Sequence, residues 1–324
     1  MMLGRLETVG ETLEFDCSLT WVAELIAEGA AGELKRDVVG SPPTVHVRIE
    51  AAREPFKTQE RNLLTRGAWS RDGEVVVANA CTSGFDVRMV CSDGGAEFTY
   101  RWRPPPRDRA AARVLRSRFQ LLARAVLMQY PALWWAGTRG RVPLHASACV
   151  AGASIPLITA PSGVGRSTLF LQDEFRETTG DNLAVGDGTN VWGLVEPMRV
   201  EGAVGRKMPH GRNEAPVRDR VSSLAPDAVV VIKRGDGGES SLDRCSSVDA
   251  ARSLVTSTYM AGELRRYWAF AGTLSAGTAL GPPHPPITDA ASAFAARLPC
   301  LVLELGRKAS PSLSKLLAPM EVGA

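Results

Sequence analysis

The sequence predicts an α/β chain in two parts, a strand-rich front followed by a larger domain in which strands alternate with helices. Three observations predict it. "TVHVRIEA" (44–51) and "AEFTYRW" (96–102) alternate apolar and polar residues with period two, the pattern of strands with one buried face. "RPPPRDR" (103–109) interrupts that pattern, because three prolines cannot continue a central strand. From Leu144 onward, short apolar runs alternate with helical stretches, as in layered α/β structures. The expected division is 1–103 for the strand-rich front, 104–143 for a linker and helix, 144–318 for the α/β domain and 319–324 for a tail.

In the front part, "GEVVVANA" (73–80) is a third strand, "WVAELIAEGA" (21–30) is a helical exception, and clusters such as "CSDGG" mark turns. No catalytic constellation stands out there; His46 falls in a strand pattern with no evident partner. After the prolines, Asp108 is expected to cap a helix running to about Tyr130, with Val114, Leu115, Phe119, Leu122, Ala125 and Val126 near helical spacing. Arg109, Arg113, Arg116 and Arg124 lie mostly off that stripe. Such a face is either solvated or suited to a phosphorylated or acidic partner.

In the second part, "LHASACVAG" and "SIPLITA" read as short apolar strands and "STLFLQDEF" as a helix. "TTGDNLAVGDGTNVWGLV" reads as a strand and hairpin, followed by a polar stretch rich in glycine and arginine (201–222). "PDAVVVIKRGD" (226–236) is a buried strand and turn. "SVDAARSLVTSTY" (247–259) is a helix with Ser247 as its cap and Ala250 where a capping-box acid would stand. "GPPHPPITD" (281–289) is a loop, "DAASAFAARL" a helix and "PCLVLEL" (299–305) a last strand.

The bulk numbers exclude several classes. At 324 residues and 44% hydrophobic content the chain can bury a sizeable core. With 38 basic and 35 acidic residues, the charge is too balanced to point to nucleic acid. The six cysteines include no C-x-x-C pair and no histidine at ligand spacing, so reduced thiols are expected rather than zinc or a disulfide framework. The N-terminal stretch lacks the basic start and apolar run of a signal peptide, and no run of about 18 apolar residues occurs. The expectation is a cytoplasmic protein with no membrane segment.

"PLITAPSGVGRSTLF" (156–170) carries the chemistry. It departs from the phosphate-loop pattern G-x-x-x-x-G-K-[ST] at two positions: Ala160 replaces the first glycine and Arg166 the lysine. Glycines let the chain curl so that successive amides face anionic oxygens, and the following helix adds its positive end. Ser162, Gly163, Val164, Gly165, Arg166, Ser167 and Thr168 are therefore candidate nucleotide-binding residues. Ser167 stands where a hydroxyl ligates Mg²⁺. Arginine keeps the positive charge, but as a planar fork rather than a compact point charge.

With His145 before the loop strand and Asp181-Asn182 after it, "LHASACVAGASIPLITAPSGVGRSTLF…TTGDNLAV" resembles the HPr kinase/phosphorylase C-terminal domain. It is most similar to the HPr-kinase-like proteins of ribosomal-peptide biosynthesis, including the lasso-peptide type. The resemblance covers roughly residues 110 to 318. It implies a P-loop-containing fold related to phosphoenolpyruvate carboxykinase, ATP and Mg²⁺ as cofactors, and transfer of phosphate to a serine hydroxyl of a peptide or protein. Hexamers are known in that family, which leaves room for a homo-oligomer.

Two departures bear on catalysis. The loop lysine is Arg166, and the second aspartate of an Asp-Asp pair is Asn182, whose amide takes no proton. Asp181 is then the candidate base and metal partner, and His145 a hydrogen-bonding partner of the aspartate or a phosphate. Glu201 loosely resembles the family's second metal ligand, and Arg206, Lys207 and Arg212 form a basic stretch able to clamp phosphate or an acidic peptide. Alternatives are a nucleotide-binding scaffold or regulatory subunit without catalysis, and a kinase of a small hydroxylated molecule.

Overall fold

The computed structural model describes residues 2–36, 42–92, 94–161, 163–166, 169, 177–200, 208, 213–307 and 312–321. The chain divides into two compact units. One comprises Met1–Gly140, Arg206–Arg212 and Arg266–Pro285; the other comprises Arg141–Gly205, Asn213–Arg265 and Pro286–Ala324.

The first unit is built on an eight-stranded sheet. Its strands are β1 (Met2–Thr8), β2 (Glu11–Cys17), β3 (Val45–Glu50), β4 (Asn62–Thr65), β5 (Ala68–Arg71), β6 (Glu74–Val77), β7 (Phe85–Ser92) and β8 (Gly95–Trp102), in the order β1-β2-β3-β8-β7-β6-β5-β4. β3 runs parallel to both β2 and β8, and the remaining pairs are antiparallel. The alternation in β3 does what period two requires: Val45, Val47 and Ile49 are buried, and His46 and Arg48 are exposed. Helix α1 (Thr20–Gly29) buries Val22, Leu25 and Ile26.

The stretch after the prolines differs from the single helix capped by Asp108. Helix α2 (Pro106–Val114) starts on a proline, breaks at Leu115 (φ −106, ψ 45) and resumes as α3 (Arg116–Arg124). The Asp108 carboxylate lies in the first turn and accepts a hydrogen bond from Asn79 Nδ2 at 2.7 Å instead of capping. A wide π-turn at Ala125–Gln129 then leads into α4 (Tyr130–Thr138). Pro131 has no N–H to give the preceding turn, which accounts for the widened backbone there. Tyr130 to Ala136 are all buried, so packing carries the helix beyond Tyr130. The helix Tyr267–Thr278 returns to this unit, where Trp134 Nε1 donates to Ser275 Oγ at 3.2 Å.

The second unit is mixed α/β. Its strands are β9 (Val142–Leu144), β10 (Ala146–Ala148), β11 (Pro156–Thr159), β12 (Ala184–Gly186), β13 (Val191–Gly193), β14 (Met198–Val200), β15 (Asn213–Ala215), β16 (Ser223–Leu224), β17 (Ala228–Arg234), β18 (Ser241–Arg244) and β19 (Cys300–Leu305). A five-stranded sheet runs β10-β11-β17-β19-β18, with β11, β17 and β19 mutually parallel. A four-stranded antiparallel sheet runs β16-β13-β12-β9, and β14 and β15 form a two-stranded ribbon. β17 reads as a continuous apolar run because Ala228 to Ile232 are all buried, as expected of a central parallel strand. Ile158, Val230, Ile232, Leu301 and Leu303 join Leu313 and Leu317 in one core cluster.

The helix Ser247–Met260 is capped one residue earlier than expected. Ser246 has extended backbone and its Oγ accepts from the Asp249 amide at 3.1 Å, so Ser246 is the cap and Asp249, not Ala250, is its reciprocal acid. The helix expected at "STLFLQDEF" lies almost entirely outside the described residues; Leu169 N donates to Gly165 O at 3.0 Å, a helical bond. Among the described residues no helix is long and apolar enough to cross a membrane.

Candidate functional site

Strand pairing brings three separate segments together. β9 belongs to the four-stranded sheet and β10 to the five-stranded sheet, and His145 is the single residue between them. On one side Ala146 pairs with Thr159, which places the loop after β11 beside His145. On the other side Leu144 pairs with Ala184, which brings up the turn containing Asp181 and Asn182. The loop leaves β11 at the carboxyl end of a parallel strand, the usual location of ligand sites in α/β sheets.

The loop has the curl that the glycines predict: φ is +85° at Gly163 and +116° at Gly165. Ala160 is absent from the left-handed region, and its methyl group is buried in the core with Leu169, with Val164 packed against the same cluster. That explains why alanine serves at this position. Among the described residues a β-carbon on Gly163 would meet nothing within 4 Å, so none of them packs against the curl there.

Arg166 is 7% exposed and turned inward. Its Nη1 donates to the His145 carbonyl at 3.0 Å, and its Nη2 donates to Asn182 O at 3.2 Å and Asn182 Oδ1 at 3.1 Å. Nη2 also lies 3.0 Å from His145 Nε2, and that nitrogen lies 3.0 Å from Asn182 Oδ1. His145 is held further by Thr258 Oγ1, which accepts from its amide at 3.0 Å, and by Thr159 Oγ1, which donates to its carbonyl at 3.2 Å. Burial, and then the nearby Arg166 charge, push the His145 imidazole down to about 3, so the ring is neutral. A neutral ring gives Nε2 one role: acceptor from Arg166, or donor to Asn182 Oδ1.

Charged groups surround this core. Asp181 is 4% exposed and Glu196 is 8% exposed. Glu196 Oε1 accepts from the Leu183 amide at 3.2 Å. Burial pushes the Glu196 carboxyl up to about 7; Glu263 and Asp181 push it the same way, while Arg199 opposes. Burial would likewise raise Glu263, but its ion pair with Arg199 holds its carboxyl below the usual range. Burial lowers Arg166 from the usual guanidinium value against the pull of Asp181, Glu196 and Glu263. Within this bonded group His145 Nδ1, Arg166 Nε and Asn182 Nδ2 are buried without a hydrogen-bond partner among the described residues. Buried polar atoms without partners are rare, and several in one place mark a site shaped for something besides folding.

The structure thus brings together His145, Arg166 and Asp181 with the Gly163–Gly165 curl. Ser162, Ser167, Thr168 and Glu201 lie outside the described residues, as do Arg206, Lys207 and Arg212. Glu196, Arg199 and Glu263 are members that sequence reasoning missed. The available signal was "VEPMR", in which a glutamate and an arginine end an otherwise apolar run. Among the described residues no group of three His, Cys, Asp or Glu side chains is arranged to hold a metal ion. Among the described carboxylates, Asp181 and then Glu196 act most strongly on the charge of the loop's arginine. No protein-family model matches the chain, and no curated protein matches it.

Proposed function

We propose that the chain is an ATP- and Mg²⁺-dependent phosphotransferase acting on a serine hydroxyl of a peptide or protein. The reading includes a P-loop domain over residues 144–318, related to HPr kinase and phosphoenolpyruvate carboxykinase. One observation carries it: loop, histidine and Asp-Asn turn converge on a single buried cluster that contains three unpartnered polar atoms among the described residues. Convergence of sequence-distant polar groups beside a glycine curl is what phosphoryl transfer requires, since its catalysis rests on positioning and charge. ATP would supply the phosphoryl group, and Mg²⁺, held by Ser167 and Asp181, would neutralise charge on its oxygens. The amides from Ser162 to Thr168 would cradle the phosphates. Asp181 would take the proton of the acceptor hydroxyl, and Asn182 would orient that hydroxyl without accepting its proton. His145, being neutral, would offer a hydrogen bond and no charge.

A second reading is a nucleotide-binding protein without transfer activity. It is favoured by the Arg166 fork, which is committed to His145 and Asn182 instead of the loop's open side.

The test has two arms. ATP affinity with Mg²⁺ is measured by calorimetry for the wild type and for Gly165→Val, since valine does not tolerate φ of +116° and the loop must change shape. Equal affinity removes the nucleotide assignment. Transfer from labelled ATP to serine-containing peptides is then compared in the wild type and Asp181→Asn, a nearly isosteric change. Transfer lost in the variant supports the phosphotransferase; tight ATP binding with no transfer by the wild type selects the second reading.

A further inference from the structure

The first unit carries a cavity of about 810 Å³ that the proposed chemistry leaves unused. Its apolar floor is aromatic. Trp21 meets Trp102 edge-on with ring centroids 5.2 Å apart, and Phe119 lies 5.2 Å from Trp102 and 6.0 Å from Trp21. Trp21 remains 37% exposed. Its walls are cationic: Arg53, Arg103, Arg109 and Arg113 line it. Arg103 is neutralised by an ion pair with the buried Asp86. Arg53, Arg109 and Arg113 have no carboxylate partner among the described residues.

The flanking helices sharpen the imbalance. From Pro106 to Arg124 the chain has six arginines, of which Arg124 is buried and paired with Glu28, and one acid, Asp108, which is bonded to Asn79. At the break between α2 and α3, Val114 is 80% exposed and Leu115 48% exposed. Solvated surface explains isolated arginines, but not three unpaired guanidiniums set around an exposed tryptophan beside two exposed aliphatic side chains. The complement of this surface is negative and apolar at once.

We propose that this groove is a docking site for an acidic peptide segment with interleaved large apolar side chains. The apolar side chains lie on Trp21, Trp102 and Phe119, burying the half-exposed indole face, and the carboxylates pair with Arg53, Arg109 and Arg113. A peptide is favoured over a nucleic acid because the cations are few and enclose an apolar floor rather than tracking an extended backbone. The assignment does not depend on the phosphotransferase reading, as every residue it uses lies in the first unit.

The experiment is calorimetry on the full chain with three unlabelled synthetic peptides and a single-stranded DNA oligonucleotide. The peptides alternate glutamate with leucine, glutamate with serine, and lysine with leucine. The Glu–Leu peptide is expected to bind. The Glu–Ser peptide is expected to bind roughly tenfold more weakly, and the Lys–Leu peptide not at all. Arg109→Glu/Arg113→Glu changes exposed side chains only, and its folding is verified by circular dichroism. It should weaken Glu–Leu binding by roughly tenfold or more. Three results overturn the proposal: no Glu–Leu binding by the wild type, equal binding by the wild type and the double variant, or tighter binding of the oligonucleotide than of any peptide. ATP binding in the double variant should match the wild type, which separates this test from that of the loop.

Discussion

Arg166 meets His145 at two points: Nη1 donates to the backbone carbonyl, and Nη2 lies against ring Nε2, both at 3.0 Å. The same guanidinium reaches Asn182 through the backbone oxygen and the side-chain oxygen. One side chain from the loop therefore ties the crossover between the two sheets of the second unit to the turn that carries Asp181. In a loop of this pattern a lysine has neither the reach nor the planar fork to do so.

Removal of that tie should destabilise the protein. Arg166→Ala takes the donor from Asn182 O, leaves the His145 carbonyl with Thr159 Oγ1 alone and Asn182 Oδ1 with His145 Nε2 alone, and deprives Asp181 and Glu196 of a nearby cation. A loss of about 3 kcal/mol in unfolding free energy is expected, from unsatisfied buried groups and an uncompensated buried charge. Arg166→Lys keeps the charge and should cost about 1–2 kcal/mol. Urea unfolding of the three proteins measures both. An unchanged midpoint in Arg166→Ala would mean that the inward hydrogen bonds do not exist in solution.

Gly193 sets the position of the Asp181 turn from the other side. A β-carbon there would collide with the backbone carbonyl of Thr179, two residues before Asp181. Thr179 cannot retreat freely, because its amide donates to Ala148 O at 2.9 Å and its Oγ1 accepts from Ala148 N at 3.0 Å. Gly193→Ala should therefore cost about 3 kcal/mol, the upper range for overpacking against fixed backbone, and should displace Asp181 from the cluster. The checks are thermal unfolding and the crystal structure of the variant. Near-wild-type stability with an undisturbed turn would rule out the close approach.

How much of this was legible in the sequence depended on range. β3, β6, β8 and β17 announce themselves because side-chain period and apolar runs are local properties; β1, β2, β4, β5 and β7 carry no individual strand reading from the sequence. The helix Tyr267–Thr278 does not. Its "YWAFAGTLSAGT" lacks a polar stripe, and its place in the first unit is set by close packing, with Gly277 against Val75. In the site, the glycine curl, His145 and Asp181 were legible from a motif a few dozen residues long. Glu196, Arg199 and Glu263 were not, because their place in the cluster comes from strand pairing and from a turn more than sixty residues beyond Glu196. The cap of the helix Ser247–Met260 was misplaced by one residue, since adjacent serines at 246 and 247 differ only in which has extended backbone.

The two perturbed titrations in the cluster oppose each other, and that opposition can be unmasked. Glu196 is raised from 4.5 to about 7 in the folded state, mainly by burial. Its contribution to stability is fully present below pH 4.5 and is lost as pH rises toward 7, because only the unfolded chain ionises freely in that window. His145 is lowered from 6.5 to about 3, so its contribution is present above pH 6.5 and is lost as pH falls toward 3. Between pH 4.5 and 6.5 the folded protein holds the Glu196 proton while the unfolded chain holds the His145 proton, and the two slopes cancel. The groups facing this pair are Asp181, Glu263, Arg166 and Arg199. Glu196→Gln removes one side of the balance with little change of shape. Relative to the wild type, the variant should gain stability as pH rises from 4.5 to 7, on the order of 3 kcal/mol in total, and level off above that range. Below pH 6.5 its absolute stability should fall with the His145 slope exposed. Urea unfolding over a pH series, without nucleotide or divalent cation, gives both curves. Parallel curves for the two proteins would show that Glu196 titrates normally, and that Asp181 and Arg166 do not share a buried charge cluster with it.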